Sequence, residues 1–249
     1  MNAITGNETN NGQQRLDEVI ALDGRLRQQA ALAKIKTTRK RALWLATIAI
    51  ASFMKRALDI VGSFVMLVLL TPLFVTLAAC IWLTDRGPVL YWQNRVGQFG
   101  RLFPFPKFRS MLVNADAMKD KILAQNVHGD NRTFKMKNDP RITWIGKIIR
   151  KFSFDELPQF WCVLKGEMTL VGPRPPVPRE VALYSVQDRR RLEVRPGLTC
   201  IWQVSGRSDI PFEGQVLLDA QYIESQSFWL DLVLLAKTIP AVLIGKGAY

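Results

Sequence analysis

The chain has 249 residues, with Lys plus Arg outnumbering Asp plus Glu by 34 to 21, a net charge of +13, 48% hydrophobic residues and seven Trp. Such apolar content excludes a disordered basic tail, while the charge calls for an anionic partner: nucleic acid, anionic lipid or a phosphorylated substrate. The three cysteines, Cys80, Cys162 and Cys200, make an odd count with no CxxC spacing, so neither a disulfide framework nor a zinc site is expected and a reducing compartment fits.

Residues Met1 to Gln14 are rich in Asn, Gly and Gln and are expected to lack structure. Leu16 to Lys40 reads as a polar, cationic helix, and Ala42 to Phe53 as a short apolar helix of the interfacial kind. From Ile60 to Thr84 no residue is charged, a run long enough to cross a bilayer core of about 30 Å. Two details argue against a simple crossing. Thr71-Pro72 falls near its middle, where a proline removes a helix hydrogen bond. Both flanks are also basic: nine cations and no acid lie between Arg25 and Arg56, and Arg86, Arg95, Arg101, Lys107 and Arg109 follow. The positive-inside tendency gives a spanning helix one basic end. A helix that enters, breaks at Thr71-Pro72 and returns to the same face satisfies both signals, with the Thr71 hydroxyl available to a freed backbone group. A Pro-kinked spanning helix remains the alternative. No cleavable signal peptide is recognisable. The expected organisation is a basic extension with an interfacial helix (1–52), a re-entrant membrane hairpin (53–85) and a cytoplasmic domain (86–249).

In the third segment, Gly87-Pro88 marks a turn and Val89 to Gln93 a strand. Gly97 and Gly100 mark a second turn, and Phe103 to Arg109 an extended segment whose prolines confine it to an edge strand or a loop. Asn114 to Gln125 reads as helical, Asn138-Asp139-Pro140 as a turn, and Thr143 to Phe152 as a short amphipathic helix with Lys147, Arg150 and Lys151 on its polar side. Ser227 to Ile244 reads as a surface-docked or core helix interrupted at Pro240. His128 falls in a polar loop.

The chemistry concentrates at Asp155-Glu156. Adjacent carboxylates repel, and keeping both ionised requires cations or a metal nearby. Ser153-x-x-Glu156 also matches a capping box, in which Glu156 would only satisfy the backbone at a helix start. Pro158 instead moves the helix start to Leu157 or Pro158 and leaves both carboxylates just ahead of it. Cap and site stand open. Gly172-Pro173-Arg174-Pro175-Pro176 is a stiff loop presenting a guanidinium suited to bidentate phosphate binding, or simply a rigid loop. Arg189-Arg190-Arg191 reads as a solvated charge run, Gln203 to Arg207 as a turn presenting Arg207, and Asp219 and Tyr222 share one helical face. No Walker loop, nucleophile elbow or zinc motif is present.

With these segments in order, the chain resembles the bacterial sugar transferase family, the monotopic phosphoglycosyl transferases. The resemblance runs from Phe53 to Tyr249. It is carried by Lys55-Arg56-Ala57-Leu58-Asp59, the apolar segment with its central proline, Gly87-Pro88-Val89, Gln93-Asn94-Arg95-Val96-Gly97 and Lys107-Phe108-Arg109-Ser110-Met111. Asp139-Pro140-Arg141, Ser153 to Gln159, Val171 to Pro175, Arg195-Pro196-Gly197-Leu198-Thr199, Gln203 to Arg207 and Gly247-Ala248-Tyr249 continue it. Departures are Thr71 where serine often precedes the proline, Phe154 for leucine, Cys162 for asparagine and Cys200 for glycine. The last is expected to narrow a turn near Arg207. Larger members carry an additional multi-helix membrane domain, so this chain looks like the small form.

The resemblance implies a re-entrant hairpin with an α/β domain and surface-docked amphipathic helices on the cytoplasmic face of the inner membrane, among anionic lipids. It implies that Asp155 attacks the sugar-bearing phosphate of a UDP-sugar, releasing UMP, and that undecaprenyl phosphate then takes the phosphosugar from the enzyme. Glu156 would hold Mg2+. Lys107, Arg150, Arg174 and Arg207 would stabilise phosphate charge, and Asp219 would support from near the substrate. A homo-oligomer is compatible with it. A non-catalytic scaffold for anionic lipid or an assembly partner explains the basic surface but not the carboxylate pair, and the apolar segment argues against nucleic-acid binding.

Overall fold

The computed structural model describes the backbone of residues 5–113, 115 and 139–244, and within that range the side chains from 34 to 242 except Ser208. The segment expected to be helical over Asn114 to Gln125 and the His128 loop therefore lie outside the described residues, apart from Ala115. The chain divides into two units, 1–53 and 54–249. Helix α1, Thr5–Leu69, supplies the described part of the first. The polar start expected to lack structure is thus helical from Thr5, since extending a helix is far easier than nucleating one. Ala42 to Phe53 is part of α1 rather than a separate helix, and every one of its residues is exposed.

Helix α2, Thr71–Asp85, follows α1 after a break at Leu70. Pro72 sits in the first turn of α2, where its missing N–H costs nothing, and the axis turns by 58°. The Thr71 hydroxyl donates back to Leu67 O at 2.8 Å, as its place beside the proline suggested. Among the described residues no single helix is long and apolar enough to cross a membrane, whereas Lys34–Leu69 and Thr71–Asp85 pass that test as a bent pair.

The rest is mixed α and β and mostly helical. Strands β1, Leu90–Val96, and β2, Leu102–Phe108, form an antiparallel hairpin closed by a turn over Gly97 to Arg101. Its register pairs Trp92 with Pro106 and Asn94 with Pro104. Arg109 N donates to Val89 O at 2.9 Å, so in this register the proline pairs are the non-hydrogen-bonded ones and neither ring removes a ladder bond. Helix α3, Trp144–Lys151, is capped by Thr143, whose Oγ1 accepts from Gly146 N at 3.0 Å. A 3-10 turn, Phe154–Gln159, leads into α4, Phe160–Lys165. Strand β3, Thr169–Val171, pairs in parallel with β4, Gly197–Thr199, and the short helix α5, Pro178–Val181, lies in the crossover between them. Helices α6, Ile201–Ser205, α7, Phe212–Ser225, and α8, Phe228–Ile244, close the chain. Pro240 lies within α8 and does not interrupt it, contrary to expectation.

Two apolar clusters hold these elements. Phe103 and Phe105 of β2, Phe160, Cys162 and Val163 of α4, Leu170 and Val171 of β3, Tyr222 and Leu234 form one, against which Leu58, Met66 and Leu67 of α1 pack. Leu77 and Ile81 of α2, Phe108, Ile145 and Ile149 form the other. Polar anchors join the base of α1 to the same unit. Asp59 Oδ1 accepts from Thr169 Oγ1 and Leu170 N, and Arg56 donates to Val163 O and Leu164 O, both at 2.8 Å. Lys55 Nζ meets Asp231 Oδ2 at 2.6 Å, Val171 O at 3.0 Å and the Tyr222 hydroxyl at 3.2 Å.

The Asp231 carboxylate is buried, so removing its cation strands a charge. Lys55→Met is expected to destabilise the folded unit by about 3 kcal/mol, lowering the detergent-solubilised melting temperature by roughly 10 °C. Lys55→Met/Asp231→Leu should recover most of that loss; a double variant no more stable than the single one would contradict this account.

Candidate active site

The segment that carries Asp155 and Glu156 does not form a capping box. Ser153 takes a left-handed conformation (φ 56°) and makes no side-chain cap bond. Only its carbonyl accepts from Glu156 N, at 3.2 Å. The reversal after α3 puts both acidic residues inside the 3-10 turn, ahead of the first α-helical residue, Phe160. Phe154 stacks on Phe152 with ring centroids 5.6 Å apart and joins the second apolar cluster, so its substitution for leucine keeps an apolar anchor.

Two cations converge on the pair from distant parts of the chain. Lys107 shares a face of β2 with Phe103 and Phe105, and its Nζ reaches Glu156 Oε1 at 2.9 Å and Asp155 Oδ2 at 3.3 Å. Arg174 grips Glu156 with both arms: Nη1 donates to Oε2 at 3.1 Å and Nη2 donates to Oε1. A bidentate guanidinium–carboxylate pair is among the strongest charge-assisted contacts available. Both carboxylates are largely shielded, with side-chain exposures of 13% for Asp155 and 16% for Glu156.

The environment separates their proton affinities. Burial pushes the Asp155 carboxyl above the usual range, and the Glu156 charge adds to this against Lys107 and Arg150. For Glu156 burial acts in the same direction, but Arg174 and Lys107 outweigh it and hold the carboxyl well below its ordinary value. One carboxylate is therefore firmly anionic and the other proton-loving, a division of roles seen where paired acids do different work.

The loop bearing Arg174 is set by close backbone packing. Gly172 N donates to Thr199 O at 2.9 Å and Gly197 N to Pro173 O at 2.8 Å. A side chain on Gly197 would collide with the Gly172 backbone, so the two motifs approach because both are glycine there. Pro175 O and Pro176 O are held by Arg95 Nη1 at 2.8 Å and Val96 N at 2.9 Å.

The remaining expected residues divide. The Arg150 side chain makes no hydrogen bond or ion pair among the described residues, but its charge acts on Asp155. Arg207, in a left-handed conformation (φ 53°), feels the charge of Glu156, and its Nη1 is buried without a partner. Asp219 touches neither carboxylate. It is fully buried and pairs at 2.7 Å with Arg191, itself over the rings of Tyr184 and Phe212. Burial pushes its carboxyl up to about 6 even though Arg191 pulls the other way. Arg191 was expected on a solvated face and is instead buried, because an aspartate 28 positions away and two aromatic rings enclose it. Cys200 has extended backbone (φ −150°) that any residue adopts, and its buried Sγ meets Gln203 Oε1 at 3.1 Å. Arg95 went unassigned in sequence reasoning, since its partner Pro175 O lies 80 positions away and leaves no local trace.

As for a metal, no group of three or more His, Cys, Asp or Glu among the described residues could hold one alone. Mg2+ needs only one or two carboxylates alongside substrate phosphates, and an anionic Glu156 beside Asp155 fits that limited requirement.

A profile of the bacterial sugar transferase family matches residues 50–245. Galactosyl transferase CpsE of Streptococcus agalactiae is 47% identical over 195 residues, 78% of this chain and 43% of CpsE. The undecaprenyl-phosphate galactose phosphotransferase of Salmonella typhimurium is 44% identical over 200 residues, 79% of this chain and 42% of that protein. Exopolysaccharide production protein ExoY of Rhizobium meliloti is 40% identical over 203 residues, 80% of this chain and 90% of ExoY. The chain spans less than half the length of the first two relatives and most of the third. By the extent of the profile and these identities, the chain belongs to the bacterial sugar transferase family.

Proposed function

We propose that this chain transfers a sugar 1-phosphate from a UDP-sugar to undecaprenyl phosphate at the cytoplasmic face of the inner membrane, through a covalent aspartyl phosphosugar, as an early step of exopolysaccharide or related glycan synthesis. The observation that carries this is the split dyad: a proton-loving Asp155 held beside a Glu156 clamped by Lys107 and Arg174. A carboxylate with raised basicity is the better nucleophile. An Asp155 oxygen attacks the phosphorus bearing the sugar, and the bond from that phosphorus to UMP breaks with its electron pair leaving on UMP. An oxygen of undecaprenyl phosphate then attacks the same phosphorus and expels the Asp155 carboxylate, restoring the enzyme. Lys107 stands between the two carboxylates and is placed to follow charge from Asp155 onto the phosphoryl oxygens. Arg174 fixes Glu156 so that it does not compete as nucleophile. Glu156 would hold Mg2+, which supplies neutralisation of the diphosphate and of the departing UMP.

A membrane-face location is supported by the bent helix pair. Ile60, Val61, Phe64, Val65, Val68 and Leu69 of α1 and Val75, Trp82 and Leu83 of α2 are all exposed. From Ile60 to the break at Leu70, α1 rises roughly 15 Å, half of a bilayer core of ~30 Å. Both ends of the apolar segment attach to one unit, through Lys55, Arg56 and Asp59 at one end and the Asp85–Arg109 ion pair at the other. A re-entrant hairpin accommodates this. Arg86, 5.6 Å over the Trp82 ring, then stands at headgroup level.

In vesicles or nanodiscs, Asp155→Asn is expected to lower UMP release by on the order of ten-thousandfold, and wild-type protein given UDP-sugar without acceptor should gain the mass of one phosphosugar. Turnover with no such adduct would remove the covalent route. Because the nucleophile must be ionised and its carboxyl is pushed up, the acidic limb of kcat/KM should lie above the ordinary aspartate value of about 3.9. Lys107→Met removes the cation that most lowers it and should move that limb further up; a downward shift would contradict the assignment. Cysteines placed before Ala57 and after Asp85 should label from the same side of sealed vesicles, whereas labelling from opposite sides would exclude the hairpin.

A further inference from the structure

Arg95 is a half-buried cation beside the site that the reaction as described leaves unused. It extends from β1 over the Phe105 ring, 5.0 Å from the centroid, and spends Nη1 on the carbonyl of Pro175, the residue after Arg174. Its Nε is sealed from solvent with no hydrogen-bond partner. No carboxylate among the described residues stands within ion-pair distance of it. Burial and the like charge of Arg174 push its pKa down to about 10, so it is still cationic at neutral pH.

That arrangement is costly. A buried donor left unmade goes uncompensated for its lost water, and a shielded cation with no carboxylate in contact is held at a cost that Glu156 and Glu180 offset only from a distance. Arg207 repeats the pattern with its own buried, unpartnered Nη1. Around the two carboxylates Asp155 and Glu156 stand Lys107 and Arg174 in contact, with Arg150, Arg95 and Arg207 near enough for their charges to be felt. Positive charge exceeds negative there, and two of the surplus guanidinium groups hold unmade donors. A phosphoryl group offers the missing acceptors and the missing charge together.

We propose that Arg95 is a further phosphate-binding residue of this site, receiving a phosphoryl oxygen of a substrate at its unpartnered edge while Nη1 keeps the Arg174 loop in place. The inference rests on the phosphoglycosyl transfer reading above. Two substrates carry that chemistry, the diphosphate of the UDP-sugar and the phosphate of the lipid acceptor, and the measurements separate them.

The test uses the full chain in nanodiscs, as wild type, Arg95→Met and Arg95→Lys, with UDP affinity by calorimetry, KM for undecaprenyl phosphate, and melting temperature. Arg95→Met is expected to weaken UDP binding roughly 10- to 100-fold, with a shallower salt dependence. Arg95→Lys, which keeps the charge but not the fork, should fall between. If UDP binding holds and the acceptor KM rises by a similar factor, the phosphate bound is the acceptor's and the proposal stands for that source. Should Arg95→Met fail to fold, the affinities of Arg95→Lys decide. Unchanged UDP affinity and acceptor KM, with only a lower kcat or melting temperature, would reduce Arg95 to a brace for Pro175 and overturn the proposal. A wild type that neither binds UDP nor releases UMP would sink the transfer reading itself, and this inference with it.

Discussion

Two carboxylates joined by a single peptide bond repel one another, and shielding from water raises the cost of charging both. In this protein Lys107 and Arg174 settle the conflict unequally. Glu156 receives a bidentate guanidinium and the nearer ammonium contact; Asp155 receives only the longer one. The asymmetry turns a repelling pair into one fixed anion and one basic group. The fold is arranged around keeping it. The β1–β2 hairpin delivers Lys107, the glycine-on-glycine contact of β3 and β4 delivers Arg174, and the left-handed turn at Ser153 delivers the acids.

Proline explains why the Arg174 loop needs so many outside partners. Pro173, Pro175 and Pro176 have no N–H, so the loop cannot brace itself by its own hydrogen bonds. Its carbonyls are instead held from without, Pro173 O by Gly197, Pro175 O by Arg95 and Pro176 O by Val96, while Val171 O at its root accepts from Lys55 and Tyr222. Rigid rings supply a fixed path and neighbouring donors supply its position. The guanidinium between them is held against Glu156 with little freedom left to lose, which is what the proposed preorganised charge stabilisation requires.

Features governed by local chemistry were legible in the sequence. The break beside Thr71-Pro72, the proline-limited strand, the capped amphipathic helix and the turn at Gly97 to Gly100 each follow from residues within a few positions of one another. The acidic pair, Lys107 and Arg174, singled out through their place in recognisable motifs, stand in contact in the structure. What escaped notice was set by distant partners. Arg191 looked like one more solvated cation because Asp219, which neutralises it, lies in another helix. Ser153 matched a capping box, yet the neighbouring 3-10 turn and the pull of Arg174 on Glu156 left that cap unmade. Pro240 looked like a helix stop, and α8 passes through it.

The charges flanking the apolar segment teach the same lesson about topology. Counted along the sequence, they read as headgroup-facing cations at both ends. In the structure several of those closest to that segment turn inward, while Lys34, Lys36, Arg39, Lys40, Arg41, Arg86 and Arg101 stay exposed. Lys55 meets Asp231, Arg56 caps the carbonyls of Val163 and Leu164, Lys107 serves the dyad and Arg109 pairs with Asp85. The positive-inside argument therefore rests on fewer cations than the sequence offers, since a cation neutralised within the protein attracts little anionic lipid. A different constraint stands beside it. A segment whose two ends are bonded into one folded unit cannot leave them on opposite faces of a bilayer without carrying part of that unit across, and the bend at Leu70 gives the chain a way to avoid doing so.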